Sequence, residues 1–263
     1  MKAPHISRPV LRFFRHIVRG YFRRHFRAVW ISRADRLIAA AAGGKTIVYA
    51  NHSSWWDPMV QVLLGGELLP ARRHYAPMDS EALDRYAIFK KLGVFGVEMN
   101  TPRGAAQFLR TSLKVLAEDG VLWITPQGRF ADARERPLNF KPGLGALASR
   151  VDAGCTLIPL AIEYTFWDER LPEALLHIGE PVSINGESAI EIDERLKAAL
   201  TEAMDELKDL ACRRDPGAFQ LLRAGRTGTG GFYEMGQRFV ARLRGRRFQA
   251  EHTAHHNAVD EAR

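Results

Sequence analysis

Residues 46–58 read TIVYANHSSWWDP, and this stretch decides most of what the sequence predicts. Its first five residues, Thr46–Ala50, form an apolar, β-branched run that follows two glycines, which predicts a buried strand. The strand is followed by His52, and Asp57 comes five residues later. A histidine at the end of a strand beside a carboxylate is the smallest general-base device, because the imidazole takes a proton while the carboxylate fixes its tautomer.

The same residues allow a purely structural interpretation. Asp57 followed by Pro58 is also a good helix start, with Asp57 as the N-cap and Pro58 at the first helical position. In that case His52 only satisfies a backbone group at the end of the strand. No nucleophile elbow and no metal-ligand spacing accompanies the pair, so a catalytic His52 would take its proton from a substrate hydroxyl.

The rest of the chain alternates between predicted strands and helices. We expect strands near 46–50, 73–76, 94–98, 121–125, 156–164 and 176–184, and helices near 33–42, 58–65, 80–90, 102–118, 143–152 and 188–212. This alternation favours an α/β fold with a central, mostly parallel sheet flanked by helices. Because His52, Glu98 and Gln127 each follow a predicted strand, we expect them to share one crevice at the carboxyl edge of the sheet.

The positive charge of the chain is concentrated at its N-terminus. Residues 1–33 carry nine Lys and Arg and no carboxylate, whereas the remaining residues carry 29 cations against 30 carboxylates. This distribution argues against a nucleic-acid groove in the domain and favours an arm that binds an anionic surface. Apolar and aromatic residues recur at helical spacing between residues 10 and 30, opposite the arginines, which predicts an amphipathic helix in the lipid interface.

Two alternatives fit the same arm: packing of its apolar side against the domain, or RNA binding through its arginines. Arginines interrupt every apolar run, so we expect neither a transmembrane span nor a secretory signal. We therefore expect a peripheral protein on the cytoplasmic face of the inner (plasma) membrane. The predicted organisation is a helical membrane arm over 1–42, a catalytic domain over 43–215, and a helical extension with a disordered tail over 216–263.

Four ordered blocks resemble the glycerolipid and lysophospholipid acyltransferases, the PlsC-like family (1-acylglycerol-3-phosphate acyltransferase-like). Residues 51–57 resemble the family's N-H-x4-D box, in which His acts as general base on the acceptor hydroxyl and Asp supports it. The other three blocks are GVFGVE at 93–98, ITPQGR at 124–129 and LIPLA at 157–161. Two departures concern the acceptor: Gln127 stands where the family has Glu, and the arginine nearest the second block is Arg103.

The resemblance implies catalytic roles for His52 and Asp57, and it assigns substrate binding to Asn51, Arg103, Gln127, Gly128, Arg129 and Lys141. Arg103 lies in the first turn of a predicted helix, where it is either a phosphate ligand or a solvated surface residue. Backbone amides near Gly128, helped by Arg129, are expected to stabilise a tetrahedral oxyanion. For Arg129, a surface salt bridge with Asp132 or Glu135 is the alternative.

The resulting hypothesis is an O-acyltransferase that moves a fatty acyl group from acyl-CoA or acyl-carrier protein to a hydroxyl of a lysophosphatidic acid-like lipid. It implies no metal and no cofactor, a lysolipid acceptor and an anionic membrane surface as partners, and no nucleic acid. One alternative has the same chemistry on a lipid without phosphate, such as a glycolipid or an amino-acid lipid. Another is a catalytically inactive membrane-binding protein.

Overall fold

The computed structural model describes residues 3–151 and 154–226. Nine strands form one sheet: β1 (Ala28–Ser32), β2 (Thr46–Ala50), β3 (His74–Asp79), β4 (Val94–Val97), β5 (Val121–Ile124), β6 (Thr156–Thr165), β7 (Glu173–Ile178), β8 (Val182–Ser183) and β9 (Gln220–Ala224). Their order is β4-β3-β5-β2-β6-β7-β1-β9, with β8 paired to β6. The five strands from β4 to β6 run parallel, whereas β7 is antiparallel to β6 and β9 is antiparallel to β1.

Within the described residues, seven α-helices lie on the two faces of this sheet: α1 (Arg8–His25), α2 (Ala34–Ala42), α3 (Asp57–Glu67), α4 (Ser80–Arg85), α5 (Pro102–Ala117), α6 (Gly143–Ala148) and α7 (Ala189–Arg213). The predicted α/β fold with a mostly parallel central sheet is confirmed. The predicted helix at 80–90 is divided into α4 and a 3₁₀ turn, Ala87–Lys91, and the predicted strand at 176–184 is divided into β7 and β8.

The core has two apolar layers, because successive residues of a strand point to opposite faces of the sheet. On β2, Ile47 and Tyr49 belong to the layer that also contains Leu196 and Leu200 of α7. Val48 belongs to the opposite layer, which also contains apolar residues of α1, α2 and α3. Central strands that are buried on both sides explain why β2 and β5 are almost uninterrupted apolar runs.

The predicted N-terminal helix ends earlier than its apolar pattern suggested. Residues 28–32 form β1, which lies in the sheet between β7 and β9. Val29 and Ile31 are almost fully buried there, and their β-branched side chains suit a strand better than a helix. The prediction of a purely helical segment over 1–42 is therefore wrong, because residues 28–32 form part of the sheet.

The apolar side of α1 packs on the protein body. Val18 and Phe22 are buried, and the ring of Phe22 lies 5.6 Å from that of Trp56. The opposite side of the helix is exposed and carries Arg8, Arg12, Phe13, Tyr21, Arg23 and Arg24. Of the interpretations that the sequence left open for the apolar side, packing against the domain describes Val18 and Phe22, which are buried beside α3 and its neighbours.

The C-terminal part contains one unexpected strand. Residues 220–224 form β9, which pairs with β1, so residues 216–224 belong to the folded body rather than to a helical extension. The rest of the predicted helical extension and disordered tail, residues 227–263, lies outside the described residues.

Candidate active site

The carboxyl end of β2 fixes the backbone that carries His52. Asn51, the residue before it, is 1% exposed and bonds the next strand with both ends of its amide. Its Nδ2 donates to the carbonyl of Ile162 at 2.9 Å, and its Oδ1 accepts the N–H of Ile162 at 2.8 Å. Asn51 thereby prolongs the β2–β6 pairing by one residue. Its side chain is engaged in these two hydrogen bonds, and Asn51 does not line the cavity beside His52.

His52 and Asp57 form a close pair. His52 Nδ1 lies 2.8 Å from Asp57 Oδ2, and the exposed fractions of the two side chains are 17% and 0%. Asp57 is the first residue of α3, with Trp56 as the N-cap. Its carboxylate does not cap the helix but accepts the N–H of Ser54 at 2.9 Å, on the side of His52. The geometry therefore matches the catalytic interpretation better than the N-cap interpretation.

Tyr164 is a third member of this group that sequence reasoning missed. Its hydroxyl donates to Asp57 Oδ1 at 2.7 Å, so the buried carboxylate accepts hydrogen bonds at both oxygens. Burial raises the pKa of Tyr164 well above its usual value, and the negative charge of Asp57 and this hydrogen bond raise it further. Tyr164 therefore remains a donor over the whole physiological pH range, and it holds the carboxylate in the plane that faces His52.

The loop after β5 holds the backbone of His52 on both sides. Gln127 Oε1 accepts the N–H of His52 at 2.9 Å, and the N–H of Ala131 donates to the carbonyl of His52 at 2.8 Å. Gln127 is 4% exposed. Its amide oxygen makes this contact without adding a second buried negative charge beside Asp57. Gln127 is thus brought to the catalytic pair as predicted, but as a backbone anchor of His52.

Phe130, from the same loop, lies over the imidazole. The two ring centroids are 4.4 Å apart, and the side chain of Phe130 is 58% exposed. An aromatic ring in this position excludes water from one face of His52 while leaving the ring edge open to the cavity.

The turn at Gly128 places a lysine beside the catalytic loop. Gly128 has φ of 62°, a conformation that glycine adopts without strain. A Cβ at this position would lie 2.7 Å from Cε of Lys141, so the lysine side chain lies directly over the glycine. Lys141 Nζ donates to Asn100 Oδ1 at 2.8 Å. The N–H of Gly128 donates to the carbonyl of Thr125 at 3.0 Å, so this particular amide is not free for the expected oxyanion contact.

The two predicted arginines differ in position. Arg129 borders the cavity, where it forms an ion pair with Glu135 and donates to the carbonyl of Phe130 at 3.2 Å. Arg103 is 82% exposed, lies 4.0 Å from Glu98 and is not among the cavity-lining residues. Thr101 caps α5, since its Oγ1 accepts the N–H of Gly104 at 3.0 Å. The helix start is thus as predicted, but the structure does not bring Arg103 to the site.

A cavity of about 670 Å³ begins at His52 and extends in two directions. One part is apolar and lies beneath α1, with lining residues that include Leu11, Phe14, Met59, Val62, Phe89 and Trp123. The other part is a polar rim that includes Asn100, Thr101, Arg129 and Lys141. His52 and Asp57 therefore lie between an apolar compartment and a polar rim, which is the division of surface found in an acyl lipid.

His74 lines the apolar compartment as a neutral wall residue. Burial lowers its pKa to about 4. Trp123 Nε1–H donates to His74 Nδ1 at 3.1 Å, and the remaining ring nitrogen, Nε2, lies 3.0 Å from the carbonyl of Leu69. Both nitrogens are thus engaged, so His74 does not compete with His52 as a base.

Two negative findings hold for residues 3–151 and 154–226. No group of three or more His, Cys, Asp or Glu side chains there is arranged to hold a metal ion. No helix in the same ranges is long and apolar enough to cross a membrane.

Comparison with protein families agrees with the four blocks found in the sequence. Residues 34–163 match the family model described as Acyltransferase. The fold is similar to the crystal structure of the 1-acyl-sn-glycerophosphate (LPA) acyltransferase, PlsC, from Thermotoga maritima. That match has a TM-score of 0.47 and 18% sequence identity, and it covers 74% of this chain and 78% of that chain. A comparison with curated proteins gives no match.

Proposed function

Residues 34–163 make this chain a member of the acyltransferase family, and we propose that it transfers a fatty acyl group from a thioester donor, acyl-CoA or acyl-carrier protein, to a hydroxyl of a lysophospholipid. The observation that carries the proposal is the His52–Asp57 pair at the junction of the apolar compartment and the polar rim. The acyl chain occupies the compartment under α1, and the acceptor headgroup lies at the rim.

The reaction needs one base and no enzyme nucleophile. With Nδ1–H of His52 donating to Asp57, the Nε2 lone pair takes the proton of the acceptor hydroxyl as its oxygen attacks the thioester carbonyl carbon. The tetrahedral intermediate collapses with cleavage of the carbon–sulfur bond, and His52 returns the proton to the thiolate. The buried thiol Cys155 is a poor nucleophile, because burial raises its pKa to about 12.

The polar rim of the cavity is the part of the structure that bears on whether the acceptor carries a phosphate. Lys141 and Arg129 line the polar rim, so they are the rim cations available to an acceptor phosphate, whereas Arg15 lines the part of the cavity beneath α1 and donates to the carbonyl of Gly65. Both already have partners, Asn100 and Glu135, which a phosphate would have to displace. The existing contacts of both cations favour the alternative acceptor, a glycolipid or amino-acid lipid whose headgroup needs no fixed cation.

An acceptor panel separates the two possibilities. Thiol release from a long-chain acyl-CoA is measured with purified protein and lysophosphatidic acid, other lysophospholipids and glycolipids, and it is repeated with acyl-carrier protein as donor. For a phosphate acceptor, we expect Lys141→Ala or Arg129→Ala to raise KM about 10-fold each, the loss of one charge-assisted hydrogen bond. Arg103→Ala is the matched control and should leave KM unchanged.

Equal KM values for the wild type and both rim variants would show that phosphate is not bound at the rim, and release with a glycolipid would then identify the alternative. Absence of release with every donor and acceptor, while liposome binding persists, would contradict the enzymatic proposal and support a membrane-binding protein without activity.

The exposed side of α1 is the part best suited to an anionic membrane. It combines four arginines with Phe13 and Tyr21, which are 62% and 44% exposed. Because the apolar compartment reaches α1, docking of this side would bring lipid to the cavity. We place the protein at the periphery of the membrane, on the cytoplasmic face, where anionic lipids attract basic segments.

Charge reversal on this surface tests the orientation. Arg23→Glu with Arg24→Glu should weaken binding to phosphatidylglycerol vesicles by at least about 30-fold, since each cation near an anionic leaflet contributes about 1 kcal/mol. Sedimentation with vesicles of increasing anionic content measures the loss. Arg110→Glu with Arg150→Glu, exposed on α5 and just after α6, is the matched control. Equal weakening by the control pair would mean that net charge, and not this helix surface, determines binding.

A further inference from the structure

A second group of reactive side chains lies at the opposite edge of the sheet. Ser32 ends β1 and is the register partner of His177 on the parallel strand β7. Their side chains meet, with Ser32 Oγ 2.7 Å from His177 Nδ1. Since β7 is antiparallel to β6, and β6 is parallel to β2, the carboxyl ends of β1 and β7 lie at the edge of the sheet away from His52.

A carboxylate approaches the other nitrogen of the same imidazole. His177 Nε2 lies 2.8 Å from Glu206 Oε2. The two groups do not have the geometry of a hydrogen bond, so their contact is electrostatic. Burial lowers the pKa of His177, while Glu206 raises it and Arg36 and Arg33 lower it. A neutral ring with its proton on Nε2, toward the carboxylate, leaves the Nδ1 lone pair for the hydroxyl of Ser32.

These groups face a cavity of about 550 Å³, whose lining includes Ser32, Arg33, Asp35, His177, Glu206 and Arg213. His177 is only 2% exposed, yet it lines this cavity with an unsatisfied Nε2. Directly after Ser32, Arg33 has φ of 58° and turns the chain from β1 into α2. The serine thus precedes a helix N-terminus, whose first N–H groups have no acceptor within the helix.

We infer that Ser32, His177 and Glu206 form a second nucleophilic site that takes small, polar carboxylic esters. Ser32 Oγ bonds to the ester carbonyl carbon while its proton passes to His177 Nδ1, and Glu206 stabilises the imidazolium. The intermediate releases the alcohol, which takes the proton from His177, and leaves an acyl ester on Ser32. Water that is deprotonated by His177 then hydrolyses this ester, which releases the carboxylic acid and restores the serine.

The order of the three side chains follows that of a hydrolytic triad with the imidazole turned round, since Nδ1 bonds the serine and Nε2 lies beside the carboxylate. Ser32 Oγ also lies 3.4 Å from the carbonyl of Leu176, a longer and weaker contact than the one with His177. Charged side chains of both signs line the cavity, so a short polar ester fits it better than a fatty acyl chain. This site is independent of the function proposed for His52.

Labelling with a fluorophosphonate tests the site, because this probe phosphonylates an activated serine and mimics the tetrahedral intermediate. Wild-type protein and His52→Ala are incubated with the probe, digested and analysed by mass spectrometry. We expect a phosphonyl adduct on Ser32 in both proteins, and His177→Asn should slow its formation by about 10²-fold or more. Ser149, an exposed serine whose hydroxyl donates only to the carbonyl of Ala146, is the internal control in the same digest.

Absence of an adduct on Ser32 in folded wild-type protein would overturn the inference. Labelling of His177→Asn at the wild-type rate, or equal labelling of Ser149, would also overturn it, because the serine would then react without activation. Since labelling is measured in the His52→Ala background as well, failure of the acyltransferase proposal leaves this result unchanged. Ser32→Ala should lose the adduct, and its thermal unfolding confirms that the variant is folded.

Discussion

His52→Ala is expected to reduce acyl transfer by about 10²–10⁴-fold, the range that a positioned general base contributes. The Nδ1 of this imidazole is held by a buried carboxylate while its ring edge remains open to the cavity. Without it, the acceptor hydroxyl has no base at the thioester. Initial rates of thiol release, with acceptor at saturating and at low concentration, measure the loss, which should appear in kcat.

His5→Ala is the matched control, because His5 is exposed and uses its backbone carbonyl to bind Gly93. His5→Ala should unfold at the wild-type temperature. His52→Ala loses a contact with the buried Asp57 and should unfold somewhat earlier, but it should remain folded at the assay temperature, and both variants should bind vesicles equally. A His52→Ala protein that transfers acyl groups at the wild-type rate would show that the pair is structural.

Asp57→Asn should reduce kcat by about 10³–10⁴-fold, as loss of the charged partner does in a triad. The carboxylate accepts the N–H of Ser54 and the hydroxyl of Tyr164 in addition to its contact with His52. An amide either turns its NH₂ toward Nδ1, which moves the imidazole proton to Nε2, or offers a neutral oxygen that stabilises imidazolium poorly. In both cases the size of the side chain is nearly unchanged, so the loss of kcat comes from the lost charge and not from altered packing.

Tyr164→Phe is a milder change in the same group and serves as the comparison for Asp57→Asn. It removes one hydrogen bond to Asp57 and leaves the charge, so we expect a loss of about 3–10-fold in kcat and about 1.5–3 kcal/mol in the free energy of unfolding, the value of a hydrogen bond to a charged group. The pH dependence of kcat separates positioning from packing. A profile unchanged from wild type in both Asp57→Asn and Tyr164→Phe would contradict the role assigned to the carboxylate.

Contacts between residues that are close together in the sequence were predicted best. Five residues across one strand-to-helix turn are enough to bring His52 to Asp57, and the cap at Thr101 follows from the residues around it. The predicted roles of more distant residues changed: Asn51 binds Ile162, and Gln127 binds the backbone of His52. Each of these contacts crosses from β2 to a neighbouring strand or to the loop after it, which local spacing cannot specify.

The N-terminal segment was also hard to predict because its contacts are with residues that are distant in sequence. An apolar helical pattern predicts that α1 buries one side, but it does not say whether lipid or the protein covers that side. The structure places Val18 and Phe22 against the body and leaves Arg8, Arg12, Arg23 and Arg24 exposed. Likewise, β1 and β9 are short segments whose partners are distant in sequence.

The sequence by itself determined the α/β alternation, the approach of His52 to Asp57 and the four blocks of the family, because these depend on the order of residues along one strand, turn or helix. Only the tertiary structure decided that Tyr164 completes the pair, that Arg103 lies away from the cavity and that Ser32 meets His177. Those facts depend on which strands become neighbours in the sheet. Strand order is fixed by the burial of two apolar layers across the whole chain, and no local pattern contains it.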